Sequence, residues 1–508
     1  MNFKVLLIVI TLKLIPYTIE HEGPKSLGIN SADKLAALYS NINNPEQIHL
    51  ALGDTSNDII IVWSSVEEEK FFVEFGNDPN HLERVLSRCE KMSEHSEQAA
   101  KFVYRAQLIN LKPGTRYTYR ILSENSKIKS DLFTFEVVGS DPSSSNYFLV
   151  MADLGLQTKS LSFIVHEVLN QKYNAVFHIG DIAYNLNTEG GSLGDQFMKR
   201  VETFTAKVPY MTTPGDHERF DSFYHYRYRF SMPNSPWPMS LESLWYSIDI
   251  GYTHFISINT EAILTNSQEK YKQIEWLKRD LESANKQRQL HPWIIVMGHK
   301  PMYCTKSLME QECHKEHSAI REELEDLFFE QGVDLYISGH KHCYERSWPM
   351  YLSRVFQTNT FNPQAPLYIV IGAMGYEYMV DKQMSSPYWL AFAMSNSKKE
   401  LFARLKVLNE THLIWSVHAG DTNEEVDNVL VIQKKHGSFG KAGPEAFEKI
   451  KTRSSNADQL PPEPLRIIDE TSQNFQYRRA ILFTTVFFLS FITFIFFRNS
   501  RVRKVLRL

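Results

Sequence analysis

An α/β layered body, preceded by a small fibronectin-like β-sandwich and followed by one membrane-spanning helix, is the fold class that this sequence predicts. Three observations predict it. From about residue 45 to 140, short runs of strand composition are separated by turn residues. From about 146 to 435, five-residue apolar runs alternate with stripes at helical spacing. Ala480–Phe497 is a mostly apolar run without a charge. At 508 residues the chain exceeds what one core organises, so two or three units are expected.

The elements follow in chain order. Residues 1–18 read as a secretory signal: Lys4 supplies a positive start, Val5–Ile10 opens the apolar core, and Lys13 interrupts it. The alternative is a buried N-terminal strand. Between 45 and 140, Ile59–Trp63, Phe71–Phe75, Tyr104–Leu108 and Tyr117–Ile121 are strand-like, and Leu111–Tyr117 is a turn feeding the last of them. This is the pattern of a fibronectin-like sandwich. Asp141–Ser145 marks a linker. In the body (146–435), Tyr147–Met151, Ala175–Ile179, Trp293–Met297 and Val333–Ile337 read as buried strands. One helix stripe carries Tyr271, Ile274, Leu277 and Leu281; another carries Ile320, Leu324, Leu327 and Phe328. Both are most simply core faces. Residues 436–478, with Pro461–Pro464, read as a stalk.

The run 480–497 would rise roughly 27 Å as a helix, close to the thickness of a hydrocarbon core. Arg478 and Arg479 precede it, whereas Arg498, Arg501, Arg503, Lys504 and Arg507 lie in the tail 498–508. The heavier positive charge on the C-terminal side predicts a cytoplasmic tail and a lumenal or extracellular body, a single-pass type I arrangement in the secretory pathway. A glycolipid-anchor signal would end on its apolar tail, so a true span is favoured. Cleavage to a secreted form is left open.

A formal net charge of -4 leaves no basic footprint, which argues against nucleic acid as the partner. Cys304 and Cys313 close a short polar loop and are expected to pair in an oxidising lumen. The alternative is a zinc knuckle with His314 and His317. Cys343 reads as a packed thiol. Asn409-Glu410-Thr411 is a glycosylation sequon, consistent with export.

Five short blocks carry the chemistry: Asp153-Leu154-Gly155, Gly180 to Tyr184, Gly215-Asp216-His217-Glu218, Val296 to His299, and Gly339-His340-Lys341-His342. Each follows an apolar run and supplies hard oxygen or imidazole ligands, the mixture that two cations require. A carboxylate from Asp153 or Asp181 can bridge two such ions. His299, His340 and His342 offer neutral imidazoles. Tyr184 can bind as a phenolate only to a strongly acidic ion such as iron(III), because a free phenol titrates near 10. Glycines 155, 180, 215 and 339 let the backbone turn sharply beside these groups. Each block alone is weak; their order, spacing and preceding strands make the joint signal strong.

Across roughly residues 45 to 435 the chain resembles the purple acid phosphatases, a branch of the metallophosphoesterases. Lys300–Tyr303, Tyr344-Glu345-Arg346 and Phe230–Pro233 resemble its animal-type members. The resemblance implies a metallophosphoesterase catalytic domain that hydrolyses phosphate monoesters in acid. It implies iron(III) held by Asp153, Tyr184 and His342, a bridging Asp181, and a divalent ion (zinc, iron(II) or manganese) held by His299, His340 and residue 216. His217 would contact phosphate and assist the leaving group, and attack would come from hydroxide bound at the dinuclear centre. The family has Asn where this chain has Asp216. The extra negative charge is expected to dampen Lewis acidity, oppose the anionic substrate, slow the enzyme and raise its pH optimum.

Simpler readings stand beside these. His178 and His254 read as core histidines, and Glu218 as an orienting acceptor. The aromatic run Phe223–Tyr228 reads either as a substrate groove or as a helix face packed on the core. His314 and His317 read as surface residues. The rival to an enzyme is a non-catalytic, membrane-anchored binding protein whose site Asp216 has impaired; phosphodiester cleavage is a third option. A homodimer is left open.

Overall fold

The computed structural model describes residues 44–92 except 79, 102–139 except 126, 145–305 except 266, 319–375, 387–394 and 399–446. The expected signal, span and tail, the stalk beyond residue 446, most of the linker, Cys313, His314 and His317 lie outside the described residues; the first stalk residues, 436–446, instead pack on the body, where Phe439 N donates to Phe329 O and Ala446 is buried beside Phe329 and Tyr351. Among the described residues, no helix is long and apolar enough to cross a membrane.

Among the described residues the N-terminal unit has eight strands: β1 (Glu46–Leu52), β2 (Ile59–Ser65), β3 (Phe71–Asp78), β4 (His81–Leu86), β5 (Arg88–Lys91), β6 (Phe102–Leu108), β7 (Arg116–Ser123) and β8 (Phe133–Glu136). They form two four-stranded antiparallel sheets, ordered β1-β2-β6-β5 and β4-β3-β7-β8. The sheets meet through aromatic rings: Phe71 of one lies edge-on to Trp63 and Tyr104 of the other, at centroid distances of 6.1 and 5.0 Å. All four expected strands are present. β1, β4, β5 and β8 lacked a clear alternating apolar signal.

The body begins with β9 (Asn146–Met151), β10 (Ala175–Ile179) and β11 (Tyr210–Thr213). It continues with β12 (Tyr246–Ile250), β13 (Thr253–Ile258), β14 (Trp293–Gly298), β15 (Leu335–Ser338), β16 (Tyr344–Ser347), β17 (Met350–Tyr351) and β18 (Arg354–Val355). It closes with β19 (Leu367–Ile371), β20 (Leu390–Met394), β21 (Leu401–Val407), β22 (His412–Ala419) and β23 (Glu425–Ile432). A six-stranded sheet runs β11-β10-β9-β21-β22-β23, and a seven-stranded one runs β12-β13-β14-β15-β19-β16-β20. Strands β9, β10 and β11 are parallel, as are β13, β14, β15 and β19.

The two sheets face each other. Phe148 of β9 and Phe177 of β10 pack on Phe255 of β13, with centroids 4.8 and 4.7 Å apart. Neighbouring Ile256 points the other way, into a second apolar cluster with Leu277, Leu281, Leu324 and Phe328. A strand covered on both faces reads as a continuous apolar run, which is why these strands were legible. Helices α1 (Leu161–Asn170) and α2 (Ser192–Thr205) bury residues in the main core, while α5 (Gln268–Lys286) and α6 (Ala319–Gln331) bury theirs in the second cluster. Between them in sequence lie α3 (Phe220–Arg229) and the short α4 (Thr260–Ile263).

One expected face is corrected. Tyr271 is 60 % exposed, and α5 instead buries Gln273, Leu277, Leu281 and Ala284. The Gln273 amide explains the rotation: it accepts from Asn259 N and donates to Asn259 O, so a polar side chain is satisfied inside. In α6, Ile320, Leu324 and Phe328 are buried and Leu327 is half-buried. In α3, Phe223 and Tyr226 are buried, and Tyr226 Oη hydrogen-bonds the backbone oxygen of Thr212, which favours the packed-face reading.

Sandwich and body are tied by polar contacts. Gln47 N donates to Glu202 Oε2 at 2.7 Å, Tyr119 Oη to Ala206 O at 2.7 Å, and Arg105 Nε to Ser231 Oγ at 2.8 Å. Cys304 is disulfide-bonded, and Cys89 and Cys343 are free thiols. Its expected partner, Cys313, lies outside the described residues. A bonded Cys304 cannot serve as a thiolate ligand, so the zinc-knuckle alternative is withdrawn.

Candidate metal centre and active site

Each of the five blocks begins where a parallel strand ends: Asp153 after β9, Asp181 after β10, Asp216 after β11, His299 after β14 and His340 after β15. Facing sheets therefore deliver ligands to one crevice at their carboxyl ends. The backbone is strained there. Asp153, Asp181, Tyr184 and His340 have φ of 62°, 56°, 46° and 67°, left-handed values that non-glycine residues rarely hold without a functional reason. Gly180 (φ 78°) also needs its missing side chain, because a Cβ there would come within 2.3 Å of His299 Nδ1. At Gly339 a Cβ would lie 2.5 Å from Asp153 Oδ2.

The predicted residues fall into two adjoining sets. In the first, Tyr184 Oη lies 2.9 Å from Asp153 Oδ1 and 2.9 Å from His342 Nε2, and His342 Nε2 lies 3.4 Å from Asp153 Oδ1. In the second, the ligand atoms of Asp181, Asp216, His299 and His340 lie within 4.8 Å of one another. Asp153 Oδ2 links the sets by accepting from His340 N at 2.9 Å. Asp153, Asp181 and His299 are almost wholly buried.

Orientation comes from surrounding backbone. His299 Nδ1 meets Ile179 O at 2.9 Å. A carbonyl only accepts, so Nδ1 carries the hydrogen and the Nε2 lone pair is turned to Asp181 and Asp216, 3.2 and 3.1 Å away. Glu218 accepts from Asp181 N, Ile182 N and Gly215 N at 2.7–2.8 Å, joining the second and third blocks, as an orienting acceptor should. Burial first, and the Asp181 charge second, push its carboxyl up to about 8. His178 is a core histidine hydrogen-bonded to Tyr210 Oη.

The electrostatics of the set match a cation. Burial disfavours an ionised Asp216, yet its hydrogen bonds to His299 and His340 outweigh burial and hold its carboxyl far below the usual range. Burial likewise opposes a charged His299, and Asp181 and Asp216 overcome it, raising that imidazole well above its ordinary value. Carboxylates and imidazoles so arranged retain positive charge, and a proton and a metal ion compete for it. Oxygen and nitrogen donors in this mixture fit the metals that the resemblance implies.

His217 stands beside both sets. Its backbone N donates to Asp181 Oδ1 at 3.0 Å, Nε2 lies 3.9 Å from Asp181 Oδ2, and Nδ1 is 2.5 Å from Asn185 Oδ1. Asn185 was not singled out in the sequence, and Lys300 was quoted only as part of the Lys300–Tyr303 resemblance with no role at the site; Lys300 Nζ is 3.3 Å from Asp216 Oδ1. The only local hint was that both adjoin proposed ligands.

Comparison with known proteins gives the family. Residues 45–137 match the purple acid phosphatase N-terminal domain, 147–344 the calcineurin-like phosphoesterase domain, and 365–428 an iron/zinc purple acid phosphatase-like C-terminal region. The chain is 34 % identical to acid phosphatase type 7 of Danio rerio over 77 % of this chain and 92 % of that protein. It is 33 % identical to the Homo sapiens protein of that name, with the same coverage. The chain belongs to the purple acid phosphatase family. It is thereby a metal-dependent phosphatase by class. A purple acid phosphatase from yellow lupin seeds shares the fold, with a TM-score of 0.67 and 23 % identity over 77 % of this chain and 75 % of that one. An Arabidopsis thaliana relative, 27 % identical over 68 % of this chain and 59 % of its own length, is described as probably lacking activity, so membership alone does not guarantee turnover.

Proposed function

We propose that this chain is an acid phosphatase that hydrolyses phosphate monoesters at a dinuclear centre. In this reading Asp153, Tyr184 and His342 hold iron(III). Asp216, His299 and His340 hold a divalent ion, zinc, iron(II) or manganese, and Asp181 serves both. One observation carries it: two donor sets, one containing a phenol, close at 2.9–3.4 Å side by side at the strand ends. When bound, such a pair supplies the Lewis acidity that makes water a nucleophile and offsets the charge on phosphate.

The chain's own groups do the rest. The buried carboxylates and His299 are fixed by backbone hydrogen bonds, so little rearrangement is needed as charge develops. His217 is the acid: Nδ1 is anchored on Asn185, and Nε2 donates a proton to the departing alcohol. A third of its side chain is exposed, which leaves that face open to substrate.

Three further readings belong here. The disulfide at Cys304 supports residence in an oxidising compartment, hence the secretory pathway. The run 480–497 would anchor the body to a membrane. Asn409 sits in a half-buried turn, where its Oδ1 accepts from Thr411 N and His412 N. The test of function is elemental analysis of the purified body together with turnover of an aryl phosphate from pH 4 to 8. Two transition ions per chain with turnover highest in acid is the expected result. Metal without turnover would favour the binding-protein rival.

A further inference from the structure

Lys300 follows His299 directly and is buried, at 8 % exposure. Its ammonium lies 3.3 Å from Asp216 Oδ1, 3.2 Å from His340 Nε2 and 3.8 Å from Glu261 Oε1. Glu261 is itself 2 % exposed, and its Oε1 finds no hydrogen-bond partner among the described residues. Arg219 faces the other Glu261 oxygen at 3.8 Å, but its side chain is 64 % exposed. Lys300 is thus a buried cation held between two carboxylates, one a proposed ligand and the other behind it.

This changes the expected consequence of Asp216. The expectation of a slower enzyme with a raised pH optimum treated the Asp216 charge as uncompensated. Lys300 compensates it. A buried charge is tolerated when a partner of opposite sign stands at hydrogen-bonding distance. An uncharged side chain at 216 would need no such partner, and the same lysine would then be left beside a metal site with a surplus positive charge.

We propose that Lys300 is the built-in counter-ion of Asp216, a positioning residue that aims this carboxylate at the divalent half of the centre and cancels its charge. Position 216 then acts as a neutral oxygen donor would. Glu261 fixes the lysine from behind. The proposal rests on the metal-site reading above. Its consequence is that positions 216 and 300 are interchangeable only as a pair.

The test is a double-mutant cycle of wild type, Asp216→Asn, Lys300→Gln and the double variant. Glutamine is chosen because it removes the charge while keeping a polar, hydrogen-bonding side chain in the pocket. On an aryl phosphate at matched metal content, the single substitutions should move the pH optimum in opposite directions. Lys300→Gln should raise it and Asp216→Asn lower it, each by about half a unit to one unit. The double variant should return to the wild-type optimum, with kcat/KM above the product of the two single effects. A merely structural lysine would not produce opposed shifts. In chelator-treated protein, Lys300→Gln should lower the melting temperature in the wild-type background and much less in the Asp216→Asn background. Shifts of the same sign, or single effects that simply multiply in the double variant and add in the metal-free melts, would overturn the pairing. If Lys300→Gln fails to fold, Lys300→Arg replaces it: retention of the wild-type optimum supports the pairing, and a raised optimum overturns it. A wild type that binds no metal would sink the phosphatase reading, while the metal-free melts would still decide the pairing.

Discussion

The hydroxyl of Tyr184 donates to Asp153 Oδ1 at 2.9 Å, with His342 Nε2 at the same distance from it. Burial first, then the charges of Asp153 and Asp181, hold this phenol far above its ordinary range. Without metal it therefore keeps its proton at any pH that leaves the protein folded. Only a strongly acidic ion displaces that proton. Iron-reconstituted wild type should absorb visible light through a ferric phenolate; metal-free protein, zinc-loaded protein and Tyr184→Phe should not. Absorption spectra of the four samples check this, and a band that survives Tyr184→Phe would move the chromophore elsewhere.

His217 holds its position through Asn185 and its own backbone bond to Asp181. Because it donates a proton and binds no metal in our reading, His217→Ala should lower kcat by about 10²–10⁴ with metal content unchanged. The loss should be smaller for a nitrophenyl ester, whose leaving group needs no protonation, than for an alkyl ester. Equal losses on both substrates would remove His217 from the acid role. Asn185→Ala should cost less, about tenfold, by loosening the ring.

Glu218 uses both oxygens to accept backbone N–H groups from the second and third blocks. Glutamine at this position would turn a donor toward a donor. Glu218→Gln should therefore destabilise by about 1–3 kcal/mol in urea unfolding, with a loss of kcat because the Asp181 and Asp216 turns both hang on it. Unchanged stability would show that the network relaxes around it.

His254 is clamped by Asp249 Oδ1 at 2.6 Å and Asp280 Oδ2 at 2.9 Å, joining the β12–β13 hairpin to α5. Burial pulls its pKa down, but the two carboxylates outweigh burial and raise it to about 9 from 6.5. The folded value exceeds the unfolded one, so the stabilisation is fully present below about pH 6.5 and is lost as pH rises through 9. It amounts to something on the order of 3 kcal/mol. Urea unfolding at pH 6 and pH 9 should show this difference in wild type and a smaller one in His254→Gln.

Arg229 is buried, with Nη1 2.6 Å from Asp195 and 2.9 Å from Gln47 Oε1 of the sandwich. Arg229→Met takes the cation at 2.6 Å away from the buried Asp195 carboxylate, which should cost about 3–5 kcal/mol. The loss should be partly recovered in Arg229→Met combined with Asp195→Asn. Thermal melts of the single and double variants check it.

Much of the site was readable because metal ligands are a matter of residue type, and the strands that carry them are buried on both faces. A run such as Trp293–Met297 declares its burial locally, and His299 follows it. Polar positions inside the protein were not readable. Strand β1 was missed because Gln47 and His49 look like surface residues; they are buried because Glu202 accepts from the Gln47 backbone and His49 bonds the Arg229 carbonyl, 180 residues away. Tyr271 was assigned to the wrong face of α5 for a related reason, since the buried Gln273 is satisfied only by Asn259.

By itself, then, the sequence determined the donor types, their strand-end positions and the layered fold, since periodicity and ligand chemistry are properties of a residue and its near neighbours. The tertiary structure alone decided which charges meet. Asp216 and Lys300 are separated by 84 positions and become neighbours only when two sheets face each other. The electrostatic cost of a buried carboxylate depends on that distance and not on its place in the chain.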